Sequence, residues 1–136
     1  MVFFATPDED RDVASEIKIK SGLSSFIWVP RDEIDSYVLK SDAVLVGPGM
    51  MRNKKEGDGF VCDEWGKETR EMTTRLLEKY TDKQWVIDGG SLQVVEIERI
   101  PKGSIITPNR KEYEMLFGER LDFDTEMIAK QMTQQA

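Results

Sequence analysis

The chain has 136 residues, of which 39% are apolar and 33% charged, a balance typical of a single globular domain. Its 26 acidic and 19 basic residues give a net charge of −7, which argues against nucleic acid or an anionic membrane as the main partner. There is no histidine and only one cysteine, Cys62, which excludes histidine catalysis, histidine metal sites and an internal disulfide within these residues. Without a signal peptide or an apolar run of about 20 residues, the sequence predicts a soluble cytoplasmic protein.

Apolar runs that end at proline or glycine predict the first half of the fold. Strands are expected at 2–5, 26–29 and 43–46, with an acidic stretch at 8–16 after the first of them. Ile34, Tyr37 and Val38 have helical spacing and predict a short helix between the second and third strands. Residues 50–59 are polar and contain glycine, which predicts a loop.

Helical spacing and two further apolar runs predict the second half. One buried helix face is expected from residues that recur at steps of three and four: Cys62, Trp65, Thr69, Met72, Leu76 and Tyr80. Strands follow at 85–87 and 104–107, and a last helix around Tyr113 ends at Gly118. A helical tail is expected from Asp124 onward.

The strands are apolar throughout and helices separate most of them, which predicts a parallel sheet covered by helices, an α/β fold. Ligands of such folds bind outside the carboxyl ends of the strands, so three turns are candidates. Gly47 and Gly49 flank Pro48 in the first turn, where glycine permits close approach of a phosphate or ribose, or serves only a tight turn.

The other two turns carry polar side chains. Asp88 follows a predicted strand, where its carboxylate either holds a ligand hydroxyl, a metal-bound water or an amide, or caps its own turn. Asn109 precedes the last helix, with Glu112 three residues on. That spacing predicts a capping box, and a ligand contact is the alternative.

Four segments in order resemble one known family. They are Ala5-Thr6-Pro7, the run 41–50 through Gly47-Pro48-Gly49, the run 85–93 through Asp88-Gly89-Gly90, and the run 105–118 through Thr107-Pro108-Asn109. Together they are similar to the ADP/ATP-dependent NAD(P)H-hydrate dehydratases, the YjeF carboxy-terminal domain family. The resemblance spans about residues 2–118 and implies one partial domain over 1–136. The implied fold is ribokinase-like, with three α/β/α layers and a mainly parallel sheet, incomplete at both ends.

The resemblance implies a function in nicotinamide nucleotide repair. Members dehydrate hydrated NADH and NADPH back to the working cofactors with ADP or ATP, and Mg²⁺ is compatible with that chemistry. The implied substrate contacts are Gly47, Gly49 and Asn109. Asp88 is a further candidate in the crevice because of its place at the end of a strand. Family members usually have histidine where this chain has Asn109, so a titratable role is lost there. A homo-oligomer, often a tetramer, is implied as well.

The family's catalytic aspartate lies in a G-x-G-D motif that these residues do not contain, so no catalytic residue is assigned and the isolated chain is expected to be inactive. Two alternatives stay open at this point. One is another ribokinase-like small-molecule kinase, and the other is a non-catalytic nucleotide-binding or assembly module.

Overall fold

The computed structural model describes residues 1–6, 12, 26–52, 54–56 and 59–118. The chain divides into two compact units, Met1–Ser41 and Asp42–Ala136, and each is described by itself. Both combine parallel strands with helices, so the predicted α/β class is confirmed. The ribokinase-like arrangement and the single partial domain over 1–136 stay predictions. The predicted acidic stretch at 8–16, apart from position 12, and the tail from Asp124 lie outside the described residues.

The first unit pairs two strands in parallel, as predicted. Strand β1 (Val2–Ala5) lies beside strand β2 (Phe26–Val29), with Val2 opposite Phe26. Pro30 follows β2, a 3-10 turn spans Arg31–Glu33, and helix α1 spans Ile34–Lys40.

An aromatic contact joins α1 to this small sheet. The rings of Phe3 and Tyr37 meet edge to face with their centroids 4.8 Å apart. Val29 and Val38 are buried. Burial of these side chains is the main source of stability that this unit offers, because two strands alone are marginal in water.

The second unit is built around a three-stranded parallel sheet. Its elements are, in chain order, β3 (Ala43–Val46), β4 (Lys54–Glu56), β5 (Gly59–Val61), α2 (Glu64–Lys79), β6 (Gln84–Ile87), α3 (Gly89–Val94), a 3-10 turn (Ile97–Arg99), β7 (Ile105–Ile106) and α4 (Arg110–Phe117). The strand order is β3-β6-β7, so β6 is the central strand.

The core of this unit lies on one face of the sheet. Trp85 and Ile87 of β6 are fully buried, as are Leu77 of α2 and Leu92 of α3. The Trp85 indole also donates a hydrogen bond to the carbonyl of Tyr80 at 2.8 Å, so its one polar atom is satisfied.

The opposite face of the sheet is apolar but open. Leu45, Val86 and Ile105 are register partners across the three strands. Leu45 is 61% exposed and Ile105 54% exposed. Parallel sheets normally have both faces covered. In the part of the chain that the structure describes, the helices of this unit cover only the face that carries Trp85.

The buried face of α2 differs from the predicted one. Thr69, Leu76 and Tyr80 are buried as expected, but Trp65 is 56% exposed and Cys62 precedes the helix, partly exposed. The buried positions of α2 are instead Gly66, Thr69, Thr73, Leu76 and Leu77. Three of these five positions are small residues, and α3 packs closely on this face, with the hydroxyls of Thr73 and Ser91 2.8 Å apart.

The predicted loop at 50–59 is wrong over part of its length, because β4 and β5 form an antiparallel hairpin there. Lys54 is opposite Val61 and Glu56 is opposite Gly59. Residues 57 and 58 lie outside the described residues. A two-residue Gly-Asp connection between paired runs is a known hairpin signal, which the polar character of β4 concealed. No helix in the described ranges has the length and apolar character needed to cross a bilayer.

Candidate functional site

The three candidate turns lie side by side at one edge of the second unit. They follow β3, β6 and β7, which are adjacent parallel strands, so all three emerge at the carboxyl end of the sheet. Two backbone hydrogen bonds tie the turns together: Asp88 N–H donates to Val46 O at 3.0 Å, and Thr107 N–H donates to Ile87 O at 3.2 Å. This is the edge at which α/β folds bind ligands.

The turn after β6 leaves no room for a side chain at Gly47. Its φ is +113°, and a Cβ built there would lie 1.7 Å from the carbonyl oxygen of Asp88. Its own carbonyl accepts hydrogen bonds from the N–H groups of Met50 at 3.0 Å and Gly90 at 3.2 Å. Backbone packing alone therefore accounts for this glycine, and its contact with a substrate stays a prediction.

Gly90 is required by the same pair of turns, on the strand-β6 side. A Cβ on Gly90 would lie 2.3 Å from the carbonyl oxygen of Met50. Sequence reasoning missed this role. The available signal was the pair Gly89-Gly90 at the start of a helix, since glycine lowers helix stability and needs another reason to be there.

Gly49 differs from both of these glycines. Its φ is +77°, but apart from its chain neighbours no heavy atom of the described residues lies within 4 Å of a Cβ built there. It is exposed, as is Pro48 before it. The conformation favours glycine, while the space next to it is free for a ligand to approach the backbone.

Asn109 forms the predicted capping box. Its Oδ1 accepts hydrogen bonds from Lys111 N–H at 2.9 Å and Glu112 N–H at 3.1 Å, and Glu112 Oε2 accepts one from Asn109 N–H at 2.9 Å. The other oxygen of Glu112 accepts from Gln93 at 3.0 Å, which joins α4 to α3. The capping role is confirmed, and the contact with a substrate stays a prediction.

Asp88 does not cap the helix that follows it. It is the residue directly before α3 and has an extended backbone, yet its side chain accepts no capping hydrogen bond. The alternative in which Asp88 caps its own turn is therefore wrong. The partly exposed carboxylate lies at the end of the central strand, between the other two turns.

An open recess of about 890 Å³ lies on α2 and the Ile97–Arg99 turn, away from these three turns. Four of its charged side chains pair with each other: Arg70 with Glu96, and Arg99 with Glu78 and Glu96. A hydrogen bond from Arg70 lowers the pKa of the Glu96 carboxyl, and a hydrogen bond to Glu78 raises the pKa of the Arg99 guanidinium. Exposed pairs of this kind fasten the 3-10 turn to α2 weakly and do not by themselves make a site.

Among the described residues there is no cluster of three or more Cys, Asp or Glu side chains that could hold a metal ion. Comparison with family models, curated proteins and solved structures gave no match to this chain.

Proposed function

We propose that the carboxyl edge of the β3-β6-β7 sheet binds hydrated NADH or NADPH, as one wall of an ADP- or ATP-dependent dehydratase that repairs these cofactors. The observation that carries the proposal is the adjacency of the three motif turns. These turns are tens of residues apart in sequence, yet they follow neighbouring strands, so that one ligand could contact all of them. The identity of the ligand rests on the ordered motifs of the resemblance.

The residues of this edge would have separate tasks. The exposed Gly49 backbone would admit the ligand closely, since nothing within 4 Å fills the space of a Cβ. Asn109 Oδ1 is engaged in the cap, so any ligand contact from this side chain would come from its Nδ2 donor. The G-x-G-D residues that the resemblance assigns to phosphoryl transfer are not among the matched motifs, so the proposal for these turns concerns the nicotinamide nucleotide alone.

A cytoplasmic location, which the sequence predicts, and a homo-oligomeric state, which the resemblance implies, belong to the same proposal.

The deciding experiment is a calorimetric titration of the chain with hydrated NADPH, which measures the dissociation constant at equilibrium. Gly49→Val should weaken binding severely, because the valine side chain would fill the space at the crevice. Gly103→Val is the matched control. Gly103 has a φ of +83° and nothing within 4 Å of its Cβ position, but it lies before β7, at the amino end of the sheet. Both variants carry the same backbone strain, and only the first is at the proposed site.

Binding by the parent that Gly49→Val abolishes and Gly103→Val preserves would support the proposal. No binding by the parent, or equal losses in both variants, would contradict it. A second measurement adds ADP or ATP with Mg²⁺ and follows the recovery of the near-ultraviolet absorbance of reduced nicotinamide. A stable phosphate ester instead of recovered NADPH would favour the alternative of a small-molecule kinase.

A further inference from the structure

Asp88 lies at the end of the central strand, and its usual local role is taken by another group. Aspartate before a helix normally accepts a hydrogen bond from an amide of the first turn. Asp63 does so before α2, where its Oδ1 accepts from Gly66 N–H at 2.9 Å. The side chain of Asp88, in the same position before α3, accepts none.

The turn after β3 explains the difference. Gly90 N–H, the second amide of α3, donates to the carbonyl of Gly47 at 3.2 Å, so a backbone oxygen satisfies this donor of the first turn. Asp88 N–H donates to Val46 O, and the Asp88 carbonyl packs against Gly47, so its backbone is held from both sides. Within the described ranges, no hydrogen bond or ion pair engages the carboxylate.

From this we infer that Asp88 binds the vicinal ribose hydroxyls of the nicotinamide nucleotide, an inference that rests on the proposed function. An ionised carboxylate only accepts hydrogen bonds, and its two oxygens suit two neighbouring hydroxyl donors. Its negative charge repels phosphate, so among the groups of a nucleotide the sugar diol is its best match. The rigid backbone at the end of the central strand fixes where these oxygens lie, which favours selective binding.

The test uses reduced nicotinamide mononucleotide and its 2′,3′-dideoxy analogue as probes, titrated against the full chain. The parent should bind the ribose form at least about tenfold more tightly than the dideoxy form, the range expected of hydrogen bonds to a charged group. Asp88→Ala should remove that preference and leave the urea midpoint of unfolding unchanged. Asp63→Ala is the matched control and should lower the midpoint while keeping the preference.

The possible results distinguish the role of Asp88 from the proposed repair function. If Asp88→Ala keeps the ribose preference, or destabilises the fold as Asp63→Ala does, the role of Asp88 is overturned while hydrate binding can still stand. If the parent binds the mononucleotide through Asp88 but not hydrated NADPH, the role of Asp88 stands and the proposed repair function fails. If the parent binds none of these nucleotides, both are overturned.

Discussion

Replacing Gly47 with alanine should destabilise the second unit strongly, because the new Cβ has no room. It would lie 1.7 Å from the Asp88 carbonyl oxygen, so the turns after β3 and β6 must move apart by more than about 1 Å to reach an ordinary contact. That movement endangers two hydrogen bonds at this edge, from Asp88 N–H to Val46 O and from Gly90 N–H to Gly47 O. Each is worth about 1 kcal/mol.

The backbone adds a second cost, since a non-glycine residue at the φ of +113° of Gly47 loses roughly 1–2 kcal/mol. We therefore expect the free energy of unfolding to fall by about 3–4 kcal/mol, a large part of the 5–15 kcal/mol typical of a domain. Urea unfolding followed by tryptophan fluorescence measures this, with Trp85 buried in the core. Gly49→Ala is the control, because it has a left-handed φ but open space, and it should cost only the backbone strain. Equal losses in the two variants would refute the packing argument.

Three further predictions concern the helix cap, the core and the surface charges. Asn109→Ala should lower the free energy of unfolding by about 1 kcal/mol, while Asn109→Ser should retain most of the cap; equal unfolding midpoints for parent and Ala variant would count against the cap. Leu77→Ala should cost about 2–5 kcal/mol in chemical unfolding and Leu45→Ala under about 1, because the first side chain is buried and the second 61% exposed. A hydrogen bond from Arg70 lowers the pKa of the Glu96 carboxyl from 4.5 in the folded state, so the pair stabilises the fold at pH values above the pKa of the unfolded chain. This stabilisation disappears as the pH falls through the lowered pKa of the folded state. Glu96→Gln should therefore flatten the acid dependence of stability at low salt, and an unchanged pH profile would contradict the assignment.

The sequence predicted those parts of the fold in which one local signal acts without competition. The apolar run at 43–46 meets glycine and proline at its end, so both the strand β3 and its turn could be located. The capping box of Asn109 follows from residue types three positions apart, and its geometry is local. The alternation of such runs with helical spacing was enough for the α/β class.

Other features depended on partners that the local pattern does not reveal. On α2, the large apolar Trp65 suggested a buried face one residue away from the real one, which includes Gly66 and Thr73 and contacts α3 through Thr73. Periodicity weights hydrophobic size, whereas close helix packing selects small residues. The contact of Gly47 with Asp88 requires knowing that β3 and β6 are neighbours, which no short motif states.

The glycines of this edge also decide where function could be detected. Substitution at Gly47 or Gly90 disturbs backbone contacts before any ligand is present, so a loss of activity there would say nothing about binding. The Cβ position of Gly49 and the side chain of Asp88 lack such contacts: the first has open space beside it, and the second is a carboxylate that caps no helix. The fold thus holds the turns rigidly through one pair of residues and leaves a second pair accessible at the same edge. Because rigid backbone with accessible polar groups is what selective binding needs, the second pair is where substitutions can separate function from stability.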